Sequence, residues 1–158
     1  MINVDSSNAP ANIIVWAQTF FAHIAAGVAG VTNTNIIEGA VVSQDTTDPQ
    51  PMNAILPGGA ADAHVQGVCI DKLETAGAAG AAEQKPISVA RIGQVGVNLV
   101  AGTGCTKGDK LITANANGDV KPRTAETGVV IVGEAMETVA SQAARTRVRC
   151  RLMLQFVP

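Results

Sequence analysis

The sequence predicts a mainly β protein, with an arm and an apolar segment over residues 1–35 and a β-rich body over residues 36–158. Three observations predict it. From Thr32 onward, short Val/Ile runs are cut by Gly, Pro, Asn and Asp at intervals of roughly ten residues, the texture of strands joined by turns. Asn117-Gly118 stands between two such runs and supplies the positive φ angles of a tight hairpin turn. Near the end, Arg145, Arg147, Arg149 and Arg151 alternate with Thr146, Val148, Cys150 and Leu152, a period of two that only a strand turns into two distinct faces. A chain of 158 residues suits one domain.

Residues 1–12 are polar and read as a mobile arm. Ile13–Val28 has two readings. Ile13, Ala17, Phe20, Ile24 and Val28 fall at helical spacing, while the β-branched start Ile13-Ile14-Val15-Trp16 suits a strand equally well. Ile36–Val42 is the first run of the body. Ser43–Pro51 holds two prolines and two aspartates, which defeat a ladder, so it is a loop. Met52–Leu56 is a short run ended by Pro57-Gly58-Gly59, and Val65–Ile70 is a strand. Thr75–Glu83 is an Ala/Gly-rich turn, and Ile87–Val95 is the next strand. Lys110–Ala114 and Asp119–Lys121 form the two arms of the Asn-Gly hairpin. Val129–Val132 and Arg145–Val157 close the chain. Gly67-Val-Cys-Ile-Asp followed by Ile87-Ser-Val-Ala-Arg is weakly echoed by Gly133-Glu-Ala-Met-Glu followed by Arg147-Val-Arg-Cys-Arg.

Composition excludes several functions. The net charge is −2, which leaves no footprint for DNA or RNA. Four aromatics (Trp16, Phe20, Phe21 and Phe156) are too few for a sugar-stacking or single-strand-binding surface. The charge is unevenly placed. Residues 1–71 carry six acids and no Lys or Arg, giving −6, while the rest carries eleven bases and seven acids, giving +4. Such a split suits head-to-tail contacts between subunits. Ile13–Val31 raises a membrane question, but it contains Gln18, Thr19 and His23 and lacks the flanking bases of a spanning helix. A signal peptide opens on a basic stretch, whereas this chain opens Met-Ile-Asn-Val-Asp. Cys69, Cys105 and Cys150 are odd in number and form no CxxC, which fits synthesis in a reducing cytoplasm and no disulfide.

The catalytic inventory is thin. Gly102-Thr-Gly-Cys-Thr-Lys-Gly-Asp-Lys110 has five residues where a P-loop has four, and Asp109 where it needs Lys. The next residues, Leu111-Ile112-Thr113, read as strand and not as the helix a phosphate loop opens. His64 and Cys69 supply two donors at most, short of a zinc site. A Cys–His nucleophile stays open at this level. No catalytic, cofactor or metal residue is therefore assigned, and the expectation is a non-enzyme without cofactor. The residues that stand out are interface candidates. Ile13, Trp16, Phe20, Phe21 and Ile24 form an apolar cluster that needs covering, by its own body or by a partner. Arg145, Arg147, Arg149 and Arg151 form a like-charged row that needs carboxylates opposite, from a neighbouring subunit, a partner surface, or the acidic first half.

From about Ile55 to Leu154, the order of the pieces resembles the small capsid cement or decoration proteins of tailed bacteriophages. Those pieces are Leu56-Pro-Gly-Gly-Ala, Gly67-Val-Cys-Ile, Ile87-Ser-Val-Ala-Arg-Ile-Gly, Val100-Ala-Gly-Thr-Gly, Lys107-Gly-Asp-Lys-Leu, Asn117-Gly-Asp-Val and Gly133-Glu-Ala-Met-Glu, then a Val/Arg strand. The resemblance implies a compact antiparallel β-barrel or β-tulip-like body and a homotrimer. It also implies docking on the major capsid protein at three-fold or quasi-three-fold points of the capsid exterior, where the protein would cement neighbouring capsid subunits. Another virion part, such as a head-fibre base or a shell subunit, is the first alternative. A small β-barrel enzyme is the second, and it would need a polar cluster around His64, Cys69 and Asp71. Neither a nucleic acid nor a membrane is expected as partner.

Overall fold

A computed structural model describes residues 13–22, 36–44, 53–71 and 85–158. These residues form nine strands and no helix: β1 Ile13–Ala22, β2 Val41–Gln44, β3 Asn53–Ile55, β4 Val65–Cys69, β5 Lys85–Leu99, β6 Lys110–Thr113, β7 Val120–Pro122, β8 Val129–Ala135 and β9 Thr146–Val157. The order across the sheet is β1-β3-β2-β4-β5-β7-β6-β8-β9, with β1 and β9 each also pairing with β5. The fold is mainly β, as the sequence indicates. Its closure runs through one shared strand and not around a single barrel wall. β5 pairs with β1 and β4 over its first part and with β9 and β7 over its last part. Pairing is antiparallel except at the short β1–β3 and β5–β7 contacts.

Over Ile13–Ala22, the part of the apolar segment that is described, β1 settles the choice between helix and strand. It runs antiparallel to β5 from Ile13↔Gln94 to Ala22↔Lys85. A β-branched start lowers helix propensity, and a long open partner strand rewards extension with a full ladder of hydrogen bonds. Ile24 lies outside the described residues, as do His23, the arm over residues 1–12 and the expected turn Thr75–Glu83.

The run Ile36–Val42 becomes strand only at Val41, because Glu38-Gly39 makes a turn first, with the Ala40 N–H donating to the Ile37 carbonyl. Ser43 and Gln44, read as loop, are the end of β2. The Asn-Gly hairpin forms, but not through the tight turn expected: Asn117 does not take a positive φ, and residues 114–119 separate the paired Thr113 and Val120. Thr113 pairs with Val120, Gly118 takes φ 75°, and Asn115 Oδ1 accepts the Asn117 N–H. Gly102–Asp109 is a pair of turns leading into β6, with Asp109 Oδ2 accepting the Thr106 N–H. The echo within the sequence corresponds to two antiparallel pairs, β4–β5 and β8–β9.

The unbroken apolar runs have a physical reason. Val41, Val68 and Ala90 face one core cluster, while their chain neighbours Val42, Cys69 and Val89 face a second. Strands covered on both faces need no polar alternation. β8 repeats the pattern, with Val130 and Val132 in the first cluster and Val129 and Ile131 in a third. β9 is one-sided: Val148, Cys150 and Leu152 point into the first cluster, and the arginines between them point away.

Candidate interaction surface

The arginine row is built by register. β9 lies between β5 and β8, so each outward arginine can reach across a neighbouring strand. Arg145 precedes the strand, and its Nε sits 2.7 Å from Asp119 Oδ1 without the alignment of a hydrogen bond, while Nη2 donates to Oδ2 at 3.1 Å. Arg147 crosses β5 at Gly96, where a Cβ would collide with the arginine side chain, and meets Glu38 Oε1 at 2.7 Å. Arg149 lies 3.9 Å from Glu137, whose other oxygen accepts the Arg149 N–H. Arg151 reaches Glu134 at 3.0 Å, and Glu134 also accepts from Lys110 Nζ. Lys110, Glu134, Arg151, Gln94 and Ile13 are successive register partners across five strands. The two cations hold the Glu134 carboxyl below its ordinary range, with the Lys110 hydrogen bond the largest cause.

The four arginines therefore find carboxylates within the chain. This departs from the expectation that a neighbouring subunit, a partner surface such as the capsid, or the acidic first half supplies them: Asp119, Glu134 and Glu137 belong to the second half, and only Glu38 to the first. Sequence spacing showed the row but not its partners, because those sit on loops and strands whose register is long-range. The gap at Gly96 carried no readable signal.

The apolar cluster of the N-terminal segment divides. Phe20 is 2% exposed and lies in the second core cluster with Ile87 and Ala54. Trp16 is 46% exposed. Ile13 and Phe21 are placed by backbone register, opposite Gln94 and Pro86. At Trp16 the ladder slips: Ile14 pairs with Gly93, Trp16 with Ile92, and Ala17 with Ala90. Val15 and Arg91 are each left over, a bulge on either strand. Bulges re-aim side chains, and here Trp16 and its partner Ile92, 50% exposed, both point outward. The Arg91 guanidinium carbon lies 5.3 Å from the Trp16 ring centroid, a cation–π contact. Sequence reading missed Arg91 and Ile92, because a bulge leaves no periodic mark.

The groups a nucleophilic site would need stand apart. His64 is exposed, with Nδ1 3.7 Å from Asp62 Oδ1. Cys69 is fully buried, and desolvation pushes its thiol up to about 11, away from a reactive thiolate. Its Sγ donates to the Asp71 carbonyl, while the Asp71 carboxylate accepts the Ser88 N–H. Cys105 and Cys150 are also buried and free, with burial raising both thiols, Cys150 to about 12. Among the described residues no group of three or more His, Cys, Asp or Glu could hold a metal ion, and no helix is long and apolar enough to cross a membrane.

No family model matches the chain, and no curated protein matches it. A solved structure does: the head fiber gp8.5 N base of bacteriophage phi29 superposes with a TM-score of 0.50 at 12% identity, covering 89% of this chain and 100% of that one. The likeness is one of fold.

Proposed function

We propose that this protein is a non-enzymatic structural component of a tailed-phage virion, seated on the outer surface of the capsid. The observation that carries the reading is the fold shared with a phage head-fibre base over that base's whole length. The order of sequence pieces that resembles capsid cement proteins supports the same location independently. The two differ in task. A fibre base holds something outward from the shell, and a cement protein clamps the shell subunits beneath it. The fold comparison favours the base, and the sequence resemblance favours the cement. A homotrimer belongs to the proposal in either case, with the major capsid protein as partner.

Gold-labelled antibody against the protein, applied to intact virions, tests the location. Label on the head surface is the expected result, and label on tails alone or on broken particles alone would overturn it. Virions lacking the gene then separate the tasks. Loss of projecting density with unchanged resistance to heat and osmotic shock marks a base, and fragile shells mark a cement. Light scattering of the purified protein should give three times the 16.1 kDa chain mass.

A further inference from the structure

Asn117-Gly118 is the one place in the sequence where an asparagine precedes a glycine. Asn117 is exposed, and among the described residues its side-chain amide makes no hydrogen bond; only its backbone N–H is held, by Asn115 Oδ1. The next nitrogen along, the Gly118 N–H, reaches the Asn115 carbonyl at 3.4 Å, the long end of hydrogen bonding. The fold itself demands glycine at 118. The residue takes φ 75°, and a Cβ there would stand 2.6 Å from the Val41 carbonyl oxygen, where the hairpin tip meets β2. The nitrogen is therefore flanked by a carbon with no side chain to shield it. The other described asparagines lack this setting. Asn98 is buried in β5, donates to the Glu38 carbonyl and precedes Leu99. Asn115 donates to Asp119 and precedes Ala116, and Asn53 precedes Ala54 in β3.

We propose that Asn117 is a self-modification site, at which the chain deamidates its own hairpin tip and loosens the seat of that tip on β2. The Gly118 nitrogen attacks Asn117 Cγ. A bond forms between them, the bond from Cγ to the side-chain nitrogen breaks, and ammonia leaves with the proton that the Gly118 nitrogen gives up. Water then opens the cyclic imide. Opening at Cγ yields aspartate, and opening at the main-chain carbonyl yields isoaspartate, whose backbone runs through Cγ and is longer by a carbon. Ring closure needs the weak Gly118–Asn115 hydrogen bond to open and Asn117 to turn about its Cα–C bond. An exposed turn opens at far lower free energy than a residue inside a ladder. Both products place a negative charge at the tip. The longer isoaspartyl backbone also displaces Gly118, whose carbonyl accepts the Val41 N–H at 2.8 Å. The inference is independent of the capsid-surface function proposed above.

The folded full chain is incubated at mildly alkaline pH and its peptides are mapped by mass spectrometry, with isoaspartate detected by enzymatic methylation. Asn117 should convert about tenfold or more faster than any other asparagine, the least gap expected between an exposed turn and ladder positions. Both products should appear, together with a more acidic species on ion exchange. Asn117→Ser should abolish that species and keep the wild-type circular dichroism, because the side chain it replaces holds no partner among the described residues. Asn117→Asp supplies the charge without the longer backbone. Isoaspartyl protein should melt about 2–4 °C below Asn117→Asp, the loss of about one backbone hydrogen bond. Conversion at Asn117 in the urea-unfolded chain but not in the folded one would mean that the turn holds the Gly118 nitrogen out of reach, and would overturn the site. Faster conversion of another asparagine in the folded chain would overturn it as well. Isoaspartyl protein that melts together with Asn117→Asp would overturn the loosening.

Discussion

Removing the Glu38–Arg147 pair should loosen the join between the turn at residues 36–40 and the shared strand β5. The two side chains are 15% and 24% exposed and meet at 2.7 Å. Full exposure would make the pair worth about 0–1 kcal/mol. Full burial would make its breakage cost about 3–5 kcal/mol. Unit charges about 4 Å apart at an effective dielectric near 20 attract by about 4 kcal/mol before desolvation is subtracted. The partial burial seen here places the net cost of Glu38→Gln near 2 kcal/mol, between those limits. For a domain of about this size, 1 kcal/mol shifts Tm by about 2–4 °C, so Glu38→Gln should lower Tm by about 4–8 °C. Arg147→Met keeps the stem over Gly96 and removes the charge, and the double-mutant cycle isolates the pair. Gly96→Ala should act in the same direction, because its Cβ would displace Arg147. Thermal melts by circular dichroism give all four values. A coupling energy below about 0.5 kcal/mol, the additivity limit for independent sites, would refute the view that this pair ties the turn to the sheet.

Phe20→Ala should cost about 3–5 kcal/mol in chemical denaturation, because a buried ring leaves a cavity, whereas Trp16→Ala, half exposed on the same strand, should cost about 0.5 kcal/mol or less. Glu126 is held near 2, against an ordinary 4.5, first by Lys121 Nζ and then by backbone N–H groups of Glu126 and Thr124. A depressed folded value means that its stabilisation is present above about pH 4.5 and is lost as pH falls from there toward 2. A carboxyl titration by nuclear magnetic resonance should show the low midpoint, and Glu126→Gln should flatten that part of the stability–pH curve. Burial of all three thiols should leave the native protein unmodified by a thiol reagent at about pH 8, with three groups reacting after denaturation. Rapid native labelling of Cys150 would contradict its placement in the core.

The sequence by itself determined the class of fold and most strand positions, because those depend on local chemistry. Asn117-Gly118 marked a hairpin, although only Gly118 takes the positive φ, and Val/Ile runs between Gly and Pro marked strands. The β9 alternation placed Val148, Cys150 and Leu152 inward and the arginines outward with no knowledge of any neighbour. Tertiary structure decided what a local pattern cannot hold. The helix-or-strand choice at Ile13–Ala22 turned on whether a long partner existed, and that partner, β5, lies some seventy residues away in the chain. The arginines were visible, but their carboxylates were not, since Glu38 meets Arg147 only after β5 and β9 align and Gly96 leaves room between them. Trp16 and Phe20 look alike in the sequence. A two-sided bulge turned Trp16 outward beside Ile92 and Arg91, while regular register four residues later set Phe20 into the core. Register is a property of two strands together, so a one-residue slip that decides which side chain meets water is written in neither strand alone.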